Sequence, residues 1–496
     1  MDLQRATTLR TWGVRECLGA IILFLAGCAV GPDFVRPEPP QVERYTRDAE
    51  PTATITADGQ EQRFERGAKV VGDWWLLFLS ARLDDAVKEA LADNPGLQSA
   101  QASLRQSQDN LRAGYGVFFP QADAGFSTTR EKFSPARFGG SSPASIFNLF
   151  TLQATVTYAL DVFGGERRTV EGLQAQADLQ HAMVLGTYLS LSGNVVNTVI
   201  ARAAYREQIR ATEQLIGVQR EEVVIAEAQA QAGTLPYANM LSLRSQLAAV
   251  EATLPPLRQK LSQAGHLLAT LAGRAPAEYD PPHVDLSDLR LPPEVPVTLP
   301  SDLVRQRPDI LAAEAQLHSA SAAVGVATAA LFPSFTLNGN YGGNSSSTGN
   351  LFTGTSSFWS IGAGVTAPLF HGGTLWYKRE AAEEGYRQSI DDYRQTVLAA
   401  LAQVADALRA LEHDAEALQS QARALAAAEE ALRLIQANYR AGTVNYVQVL
   451  IADGQVHQAR LGHIQAQAQR LQDTVALFVA LGGGWWSAGE GSRLQK

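Results

Sequence analysis

The sequence predicts a mainly helical chain that carries a smaller β part and is built from two related halves. Three observations lead to this fold class. Residues 166–231 and 373–440 contain no proline, four short segments alternate apolar and polar side chains, and one series of motifs occurs twice. Long proline-free stretches favour helices, whereas alternation with a period of two is typical of strands with two different faces.

The N-terminus predicts an exported protein. Three arginines precede a short apolar core, residues 17–26, which is too short for a bilayer span of about 20 residues. Leu25-Ala26-Gly27-Cys28 resembles the bacterial lipobox, although an ordinary signal peptide with an incidental cysteine is the alternative. The resemblance implies a covalent lipid, palmitate included, on Cys28. Ala29 follows, where an aspartate would resemble an inner-membrane retention signal, so we expect delivery to the outer membrane.

The number of cysteines and the net charge argue against disulfides and against nucleic-acid binding. Cys17 leaves with the signal and Cys28 would carry lipid, so the mature chain has no cysteine pair for a disulfide. The formal charge of −9 becomes −10 once residues 1–27, with three arginines and two acids, are removed. This acidity argues against a nucleic-acid partner. With 46% hydrophobic and 18% charged residues, the composition is that of a globular protein of two or more domains.

Proline clusters divide the chain. Residues 274–300 hold seven prolines, and proline neither continues a helix nor donates to a strand ladder. We therefore predict six segments. They are a signal peptide (1–27), an extended lipidated segment (28–80), a first repeat (81–274), a linker (275–300), a second repeat (301–482) and a tail (483–496).

The two halves repeat each other in order. Residues 94–120 align with 307–333 at a constant offset of 213, with matching proline, alanine, leucine and phenylalanine positions. Gly164-Gly165 then matches Gly372-Gly373, and Ala232-Gly233-Thr234 matches Ala441-Gly442-Thr443. Three matches in one order indicate an internal duplication. Each half reads as a helix, two strands, a very long helix, a sharp turn and a return helix.

The four predicted strands each have one apolar face. The apolar positions are Ala122, Ala124 and Phe126; Leu152, Ala154, Val156, Tyr158, Leu160 and Val162; Phe335, Leu337 and Tyr341; and Trp359, Ile361, Ala363, Val365, Ala367 and Leu369. A soluble sandwich is one interpretation, but two hairpins barely sustain one. We prefer outer-membrane strands, which are segments of about ten residues with an apolar side facing lipid. The loops at 131–150 and 344–355 would then lie on the outer surface.

A membrane location predicts an assembly. Every backbone polar group must be paired in lipid, so only a closed barrel is stable there. Four strands are too few, because the smallest such barrels have about eight. A dimer would give eight strands and a trimer twelve, and only the larger leaves an open lumen. We therefore expect a homotrimer with a 12-stranded barrel.

The long helices predict coiled-coil packing. At 1.5 Å per residue each could extend about 100 Å. Heptad positions of the second helix are apolar: Val397, Val404, Leu411, Leu418, Leu425 and Leu432, with Leu401, Leu408, Ala415 and Ala422 between them. Alanine around this seam favours a helix with two neighbours, as in the wall of a tube, but an ordinary antiparallel hairpin explains the heptads equally well.

Five quoted segments resemble the TolC family of outer-membrane factors, in its NodT-like lipoprotein branch. They are LAGC, VGPDFVRP, LPSDLVRQRPDI, ALFPSFTLNGNYG and YRAGTVNYVQVLIAD. The resemblance implies a trimer with a twelve-stranded barrel on a twelve-helix tunnel. It implies an efflux exit duct in the outer membrane, extending into the periplasm and joined by a periplasmic adaptor (membrane fusion protein) to an inner-membrane pump of the RND type. The adaptor would dock at turns containing Gly233, Thr234, Gly442 and Thr443.

The resemblance also implies a gate near these turns. Tyr439 matches the family's tip tyrosine, with Asn239 in the place of its acidic partner and Val444 in a basic position. Gln448 and Ile451 occupy the usual positions of a ring of aspartates. Asp453 could substitute, but it lies about 200° around the helix from Ile451. We therefore favour a hydrophobic constriction by Val447 and Ile451, and expect Asp453 to be solvated or paired along its helix.

Enzymatic motifs are not found in the sequence. There is no phosphate loop or HExxH pair, and His457 and His463 are six residues apart rather than four. His413-Asp414 reads as a solvated helix surface. We therefore expect no catalytic residue, no metal and no cofactor apart from the lipid. A periplasmic coiled-coil adaptor and a structural envelope lipoprotein are the alternatives, but neither explains both the duplication and the two-faced strands.

Overall fold

A computed structural model describes residues 29–134, 139, 141 and 143–487. The predicted signal peptide, Cys28 and most of the predicted tail lie outside the described residues. The chain forms two compact units. The sheet unit contains the residues up to Arg36, Leu104–Leu179 and Ala313–Tyr393, and the helical unit contains Pro37–Ser103, Gln180–Ala312 and the residues from Arg394 onward.

Helices dominate the described chain. Their bounds are α1 Ala81–Asp93, α2 Pro95–Gly114, α3 Gly165–Gln231, α4 Tyr237–Glu251, α5 Leu254–Leu271, α6 Pro300–Gln306, α7 Pro308–Ala329, α8 Thr374–Arg440 and α9 Tyr446–Ala480. The strands are β1 Arg63–Arg66, β2 Gln121–Phe133, β3 Ser145–Leu160, β4 Glu294–Val297, β5 Ser334–Ser345 and β6 Ser357–Thr366. Short 3-10 turns complete the order. The predicted duplicated series of elements is confirmed except for the return helix of the first half.

The two long helices match the proline-free stretches. Both α3 and α8 have 67 residues and begin and end within one residue of the predicted limits. The heptad seam of α8 is buried where the prediction placed it, at Val397, Val404, Leu411 and Leu418. Periodicity therefore located both the helix and its packed face.

The return helices differ between the halves. In the first half α4 ends at Glu251, the Thr253 N–H donates to the Val250 carbonyl three residues back, and the chain starts again as α5, with proline in its first turn. Proline lacks the N–H that a continuous helix requires. The second half has no proline here, and α9 continues for 35 residues. The prediction of one return helix is thus wrong for the first half.

One four-stranded antiparallel sheet, in the order β2-β3-β5-β6, holds the predicted strands. Gln121 pairs with Thr157, Thr157 with Asn338, and Asn338 with Gly362. The strands extend further than expected, because β2 continues to Phe133 and β3 begins at Ser145. The predicted loop at 131–150 is therefore too long at both ends.

A second, two-stranded parallel sheet was not predicted. Strand β1 pairs with β4, and Phe64 lies opposite Val295. The first strand lies in the segment predicted to be extended, and the second in the predicted linker. Four-residue strands with distant partners carry too little alternation to be recognised in a sequence.

Aromatic packing fills the core of the helical unit. The Trp74 ring stacks on Phe478 with centroids 5.4 Å apart. Nearby, buried Arg307 makes a bidentate pair with Asp309, at 2.9 and 2.6 Å, and donates to the Ala480 carbonyl at the end of α9. The LPSDLVRQRPDI segment thus supplies a guanidinium that satisfies a helix C-terminus.

One described helix, α3, contains an 18-residue window long and apolar enough to cross a membrane, but 61% of that window is buried inside the protein. Core helices of soluble proteins meet the same criterion. We therefore assign α3 to the packed helices of the protein.

Candidate functional site

All four predicted apolar faces lie on the same side of the sheet. Along one row of the register, Ala124, Ala154, Tyr341 and Trp359 lie opposite one another. Because paired residues share a face, the apolar sets of the four strands form one surface. Its large side chains are exposed in the single chain, as Trp359 (70%) and Ile361 (82%) illustrate.

The opposite face is polar and made mainly of short side chains. Asp123, Thr155, Asn340 and Ser360 form one row across it. In the single chain the apolar face of the sheet is exposed and the other face is polar. The sheet therefore has no apolar core of its own. It matches the alternation of an outer-membrane strand, apolar toward lipid and polar toward a lumen.

The sheet has two open edges. Among the described residues, β2 and β6 each pair along one side only. Unpaired edges leave rows of N–H and C=O groups free to pair with another chain. In a hydrocarbon environment these groups must be paired.

The segment that follows Cys28 is bound to the sheet unit. The Val30 N–H donates to the Phe163 carbonyl at 3.0 Å, and buried Arg168 pairs with Asp33 at 2.6 Å. The Phe34 ring stacks on His318 at 4.2 Å. These contacts fix the VGPDFVRP segment at the end of β3, where the strand gives way to α3.

Glycine makes this close approach possible. Gly31 has φ of +93°, and a Cβ on it would lie 2.5 Å from the Gly325 Cα atom. No L side chain fits at that distance, and the positive φ is itself unfavourable for them. No local sequence pattern indicates this contact between positions almost 300 residues apart.

The two turns that join the long helices to their return helices are closed identically. Gly233 and Gly442 have φ of +74° and +75°. The Thr234 and Thr443 hydroxyls donate to the carbonyls of Gln229 and Asn438, both at 3.0 Å. Left-handed glycine after the last helical residue is the usual helix stop. The prediction of paired sharp turns is confirmed, and a Cβ added at either glycine would meet no other atom within 4 Å.

The predicted gate residues lie around these turns and differ in exposure. Gln448 and Asn239 are exposed, Val444 is half-buried, and Val447 and Ile451 expose 38% and 54% of their surface. Their accessibility leaves them free to face another chain or a channel axis. Within the described residues no hydrogen bond joins Tyr439 to Asn239. The Tyr439 ring instead packs edge-on against Tyr446 at 5.1 Å.

Asp453 is not solvated, and that expectation was wrong. Its residue is 8% exposed, and its Oδ2 atom has no hydrogen-bond partner in the described structure. Burial raises its pKa. The predicted separation from Ile451 around the helix is confirmed, since one side chain is enclosed and the other is open.

Two residues near Asp453 were missed by the sequence analysis. Glu222 on α3 and Tyr446 on α9 also have enclosed oxygen atoms, Oε2 and the hydroxyl, without a described partner. Burial raises the pKa of both side chains. They border an apolar cluster at the tip formed by Val223, Ala226, Met240, Leu243 and Leu450. Because the two helices are more than 200 residues apart in sequence, no local pattern could show this proximity.

A second carboxyl pair lies between α8 and α9. Burial and a hydrogen bond with Asp473 raise the pKa of Asp414 to about 7. The expectation that Asp414 belongs to a solvated surface was therefore wrong, although its neighbour His413 is exposed. Close by, Arg470 is 1% exposed and donates to the neutral groups of Gln62 and Thr54.

No group of three or more histidine, cysteine or acidic residues within the described part of the chain is arranged to hold a metal ion.

Comparison with known proteins decides the family. Residues 86–274 and 299–483 match the profile of the outer membrane efflux protein family, one segment in each predicted half. The chain belongs to this family. It is therefore an outer-membrane efflux channel protein and not an enzyme, which excludes the adaptor and structural-lipoprotein alternatives. The TolC-like resemblance is confirmed.

Relatives in the family cover most of the chain. The pyoverdine export outer membrane protein OpmQ of Pseudomonas putida is 30% identical over 83% of this chain and 88% of its own length. The nodulation protein T of Rhizobium leguminosarum is 28% identical, covering 95% of this chain and 94% of its own.

Solved structures agree with the fold. The outer-membrane channel OprN has a TM-score of 0.82 at 27% identity and covers 92% of this chain and 100% of its own. The Campylobacter jejuni outer membrane channel CmeC has the same TM-score at 20% identity, over 93% of this chain and 96% of its own, and supports the fold alone.

Proposed function

We propose that this efflux protein acts as a homotrimer, in which three four-stranded sheets close one 12-stranded barrel. The observation that carries the proposal is the sheet with a bare apolar face and two unpaired edges. Lipid tolerates no open strand edge, so copies of the chain must complete the ring. Three copies supply enough strands for an open lumen, whereas eight strands are filled by their own side chains.

The lumen of such a barrel would be polar and weakly charged. The inward face presents mostly threonine, asparagine, serine and glycine, with Asp123 and Glu131 as acids on β2. Short uncharged side chains favour a wide passage without strong charge selection. We infer a duct that passes varied solutes and leaves selection to the pump.

The helical tip is the proposed periplasmic end. Two turns of identical geometry, one in each half, would give a trimer six similar docking positions for adaptor hairpins. Gly233, Thr234, Gly442 and Thr443 form these turns. We propose an inner-membrane pump of the RND type as the partner; a pump of some kind is part of the name of relatives such as the toluene efflux pump outer membrane protein TtgC of Pseudomonas putida.

The proposed gate is hydrophobic. Val447 and Ile451 are accessible, whereas Asp453 is turned into the protein. A ring of apolar side chains narrows a pore by excluding water from it. An Asp453 ring would need the carboxyl group to leave its enclosure.

We further propose that Cys28 carries lipid. Ala29–Arg36, the segment directly after it, is held at the end of β3 by Phe163, Arg168 and His318. Acyl chains attached one residue earlier would therefore emerge beside the proposed membrane boundary. Cells grown with an alkyne-labelled fatty acid should label the native protein, and labelling that persists in Cys28→Ala would contradict this assignment.

Conductance tests the duct itself. The purified protein should migrate as a trimer in detergent, convert to monomer on boiling, and give stepwise ion currents in planar bilayers. An Ile451→Ser variant should open more often, because a polar side chain weakens the apolar constriction. A protein that stays monomeric and non-conducting would contradict the proposal.

A further inference from the structure

We propose a specific interface between copies of this chain, in which β6 of one copy pairs with β2 of the next so that Val365 lies opposite Phe126. The inference rests on the proposed trimer and goes beyond it, because it fixes which residues meet and in which register.

The sheet topology permits this pairing. Strands β2 and β6 form the two edges, and they run antiparallel to each other because the order β2-β3-β5-β6 alternates in direction. The first residue of β2, Gln121, and the last of β6, Thr366, therefore lie at the same end of the sheet. A neighbouring copy placed at the β6 edge continues the alternation without a change of direction.

The internal duplication supplies the register. Gln121 pairs with Thr157 in the first hairpin, and Ser334 pairs with Thr366 in the second. Since the sequence repeat relates Gln121 to Ser334, the paired positions Thr157 and Thr366 are equivalent. Each half thus contains one hairpin, and the two hairpins have the same register.

Contacts between the two hairpins already exist inside the chain. At the boundary between β3 and β5, Val156 lies opposite Gly339 and Tyr158 opposite Leu337. Just beyond the strands, the Phe163 ring stacks on Phe332 with centroids 4.6 Å apart. Inside one chain, β3 of the first half pairs with β5 of the second half. We use this pair as the template for the proposed pair between copies, β6 of one chain and β2 of the next.

Transferring the template gives the interface. Val156 corresponds to Val365 and Gly339 to Phe126, so these two side chains meet across the subunit boundary. On the same face, four residues further along, Leu369 falls near Ala122, and Phe119 is the equivalent of Phe332. All of the large side chains involved are exposed in the single chain, at 64% for Val365, 59% for Phe126 and 95% for Leu369.

The two faces of the sheet support this register. Val365 opposite Phe126 joins an apolar face to an apolar face, and Gly364 opposite Ser127 joins the polar faces. A shift of one residue would place Val365 opposite Gly125 or Ser127 and reverse the faces across the boundary. A pair of β-branched and aromatic side chains is also among the favourable cross-strand pairs.

Disulfide trapping tests the register. We would express V365C/F126C and G364C/S127C as full chains and oxidise them in membranes. Both edges belong to one sheet, so a disulfide between them can form only between copies. Directly opposed residues have Cβ atoms about 5 Å apart, close enough for a disulfide to form with a small adjustment. We expect a ladder of covalent dimers and trimers on non-reducing gels.

Two further double-cysteine variants serve as controls for the disulfide yield. V365C/A122C moves one partner by four residues, about 13 Å along the strand, and should form at least about tenfold less disulfide. The V156C/G339C variant places cysteines at two positions that are opposed within one chain. Its disulfide yield is the reference for a directly opposed pair. A native trimer in which V365C/F126C falls tenfold below this internal pair, or in which V365C/A122C exceeds V365C/F126C, overturns the register and leaves the duct intact. A native protein that is not trimeric instead overturns the proposed function.

Discussion

The two coiled-coil hairpins of this protein share one scaffold but differ in what they enclose. The first consists of α3, α4 and α5, and the second of α8 and α9. Their turns are closed by the same glycine and threonine hydrogen bonds. The second hairpin, however, has an unbroken return helix and encloses oxygen atoms of Asp414 and Asp453, whereas the enclosed carboxyl of the first hairpin is Glu222.

Several equivalent positions of the two halves hold different residues or differ in burial. Matched on the turns, Asp414 and Asp473 correspond to Tyr205 and Ala264 in the first half. Tyr446, which is half-buried beneath Tyr439, corresponds to Tyr237, which is 65% exposed. The two halves therefore keep the same hairpin backbone but enclose different polar groups. Each enclosed group should make the second hairpin respond to a change that the first one tolerates.

The largest expected effect concerns pH. In the folded state the pKa of Asp414 is raised from 3.8 to about 7. At a pH between these two values, the folded protein therefore keeps a proton on Asp414 that the unfolded chain releases. Stability from this pair is present below about pH 4 and is lost as pH rises to about 7. Asp414→Asn cannot ionise and should stabilise the protein at pH 8 by about 2 kcal/mol, a value reduced for solvent contact.

Thermal unfolding at pH 5 and pH 8 checks this expectation. The difference in Tm between the two conditions should shrink in D414N. Asp406→Asn, a change at an exposed acid on the same helix, should leave the difference unchanged. Equal behaviour of the two variants would mean that Asp414 and Asp473 do not share a proton.

A middle-sized effect is expected at the starts of the return helices. The Asn445 side chain accepts a hydrogen bond from the Gln448 N–H, whereas Pro236 at the equivalent place makes no side-chain cap. Asn445→Ala should cost about 1 kcal/mol locally, and Pro236→Ala should remove no such bond. Hydrogen exchange of residues 446–449 should accelerate about fivefold in N445A. Unchanged exchange would show that the cap contributes nothing.

The smallest effect distinguishes the two tyrosines. The Tyr446 hydroxyl is enclosed beside the Glu222 carboxyl without a hydrogen bond of normal geometry, so Tyr446→Phe should be neutral or stabilising by about 0.5 kcal/mol. Tyr237→Phe removes an exposed hydroxyl and should change nothing measurable. Chemical denaturation of both variants provides the comparison. A clear loss of stability in Y446F would indicate that the hydroxyl makes a stabilising bond to Glu222.

Much of the fold followed from repeated local patterns. Alternation located the apolar faces of the strands, heptads located the buried seam of α8, and the AGT pair located both turns. These features depend on residues close together in sequence. The break before α5 also has a local signal, the adjacent prolines Pro255 and Pro256.

The remaining features depend on distant partners. Asp453 lies beside Glu222 of another helix, and β1 pairs with β4 more than 200 residues away. A helical period gives the direction in which a residue points but not the element that covers it. For this reason the sequence predicts a solvated Asp414 and an Asp453 that is solvated or paired along its helix, although packing encloses both.

Counting the copies in the native complex tests the central claim most directly. Native mass spectrometry of the detergent-extracted protein should give the mass of three chains, because three sheets of four strands close one barrel with a lumen. A mass corresponding to one chain, with Trp359 and Ile361 protected from lipid, would contradict the account.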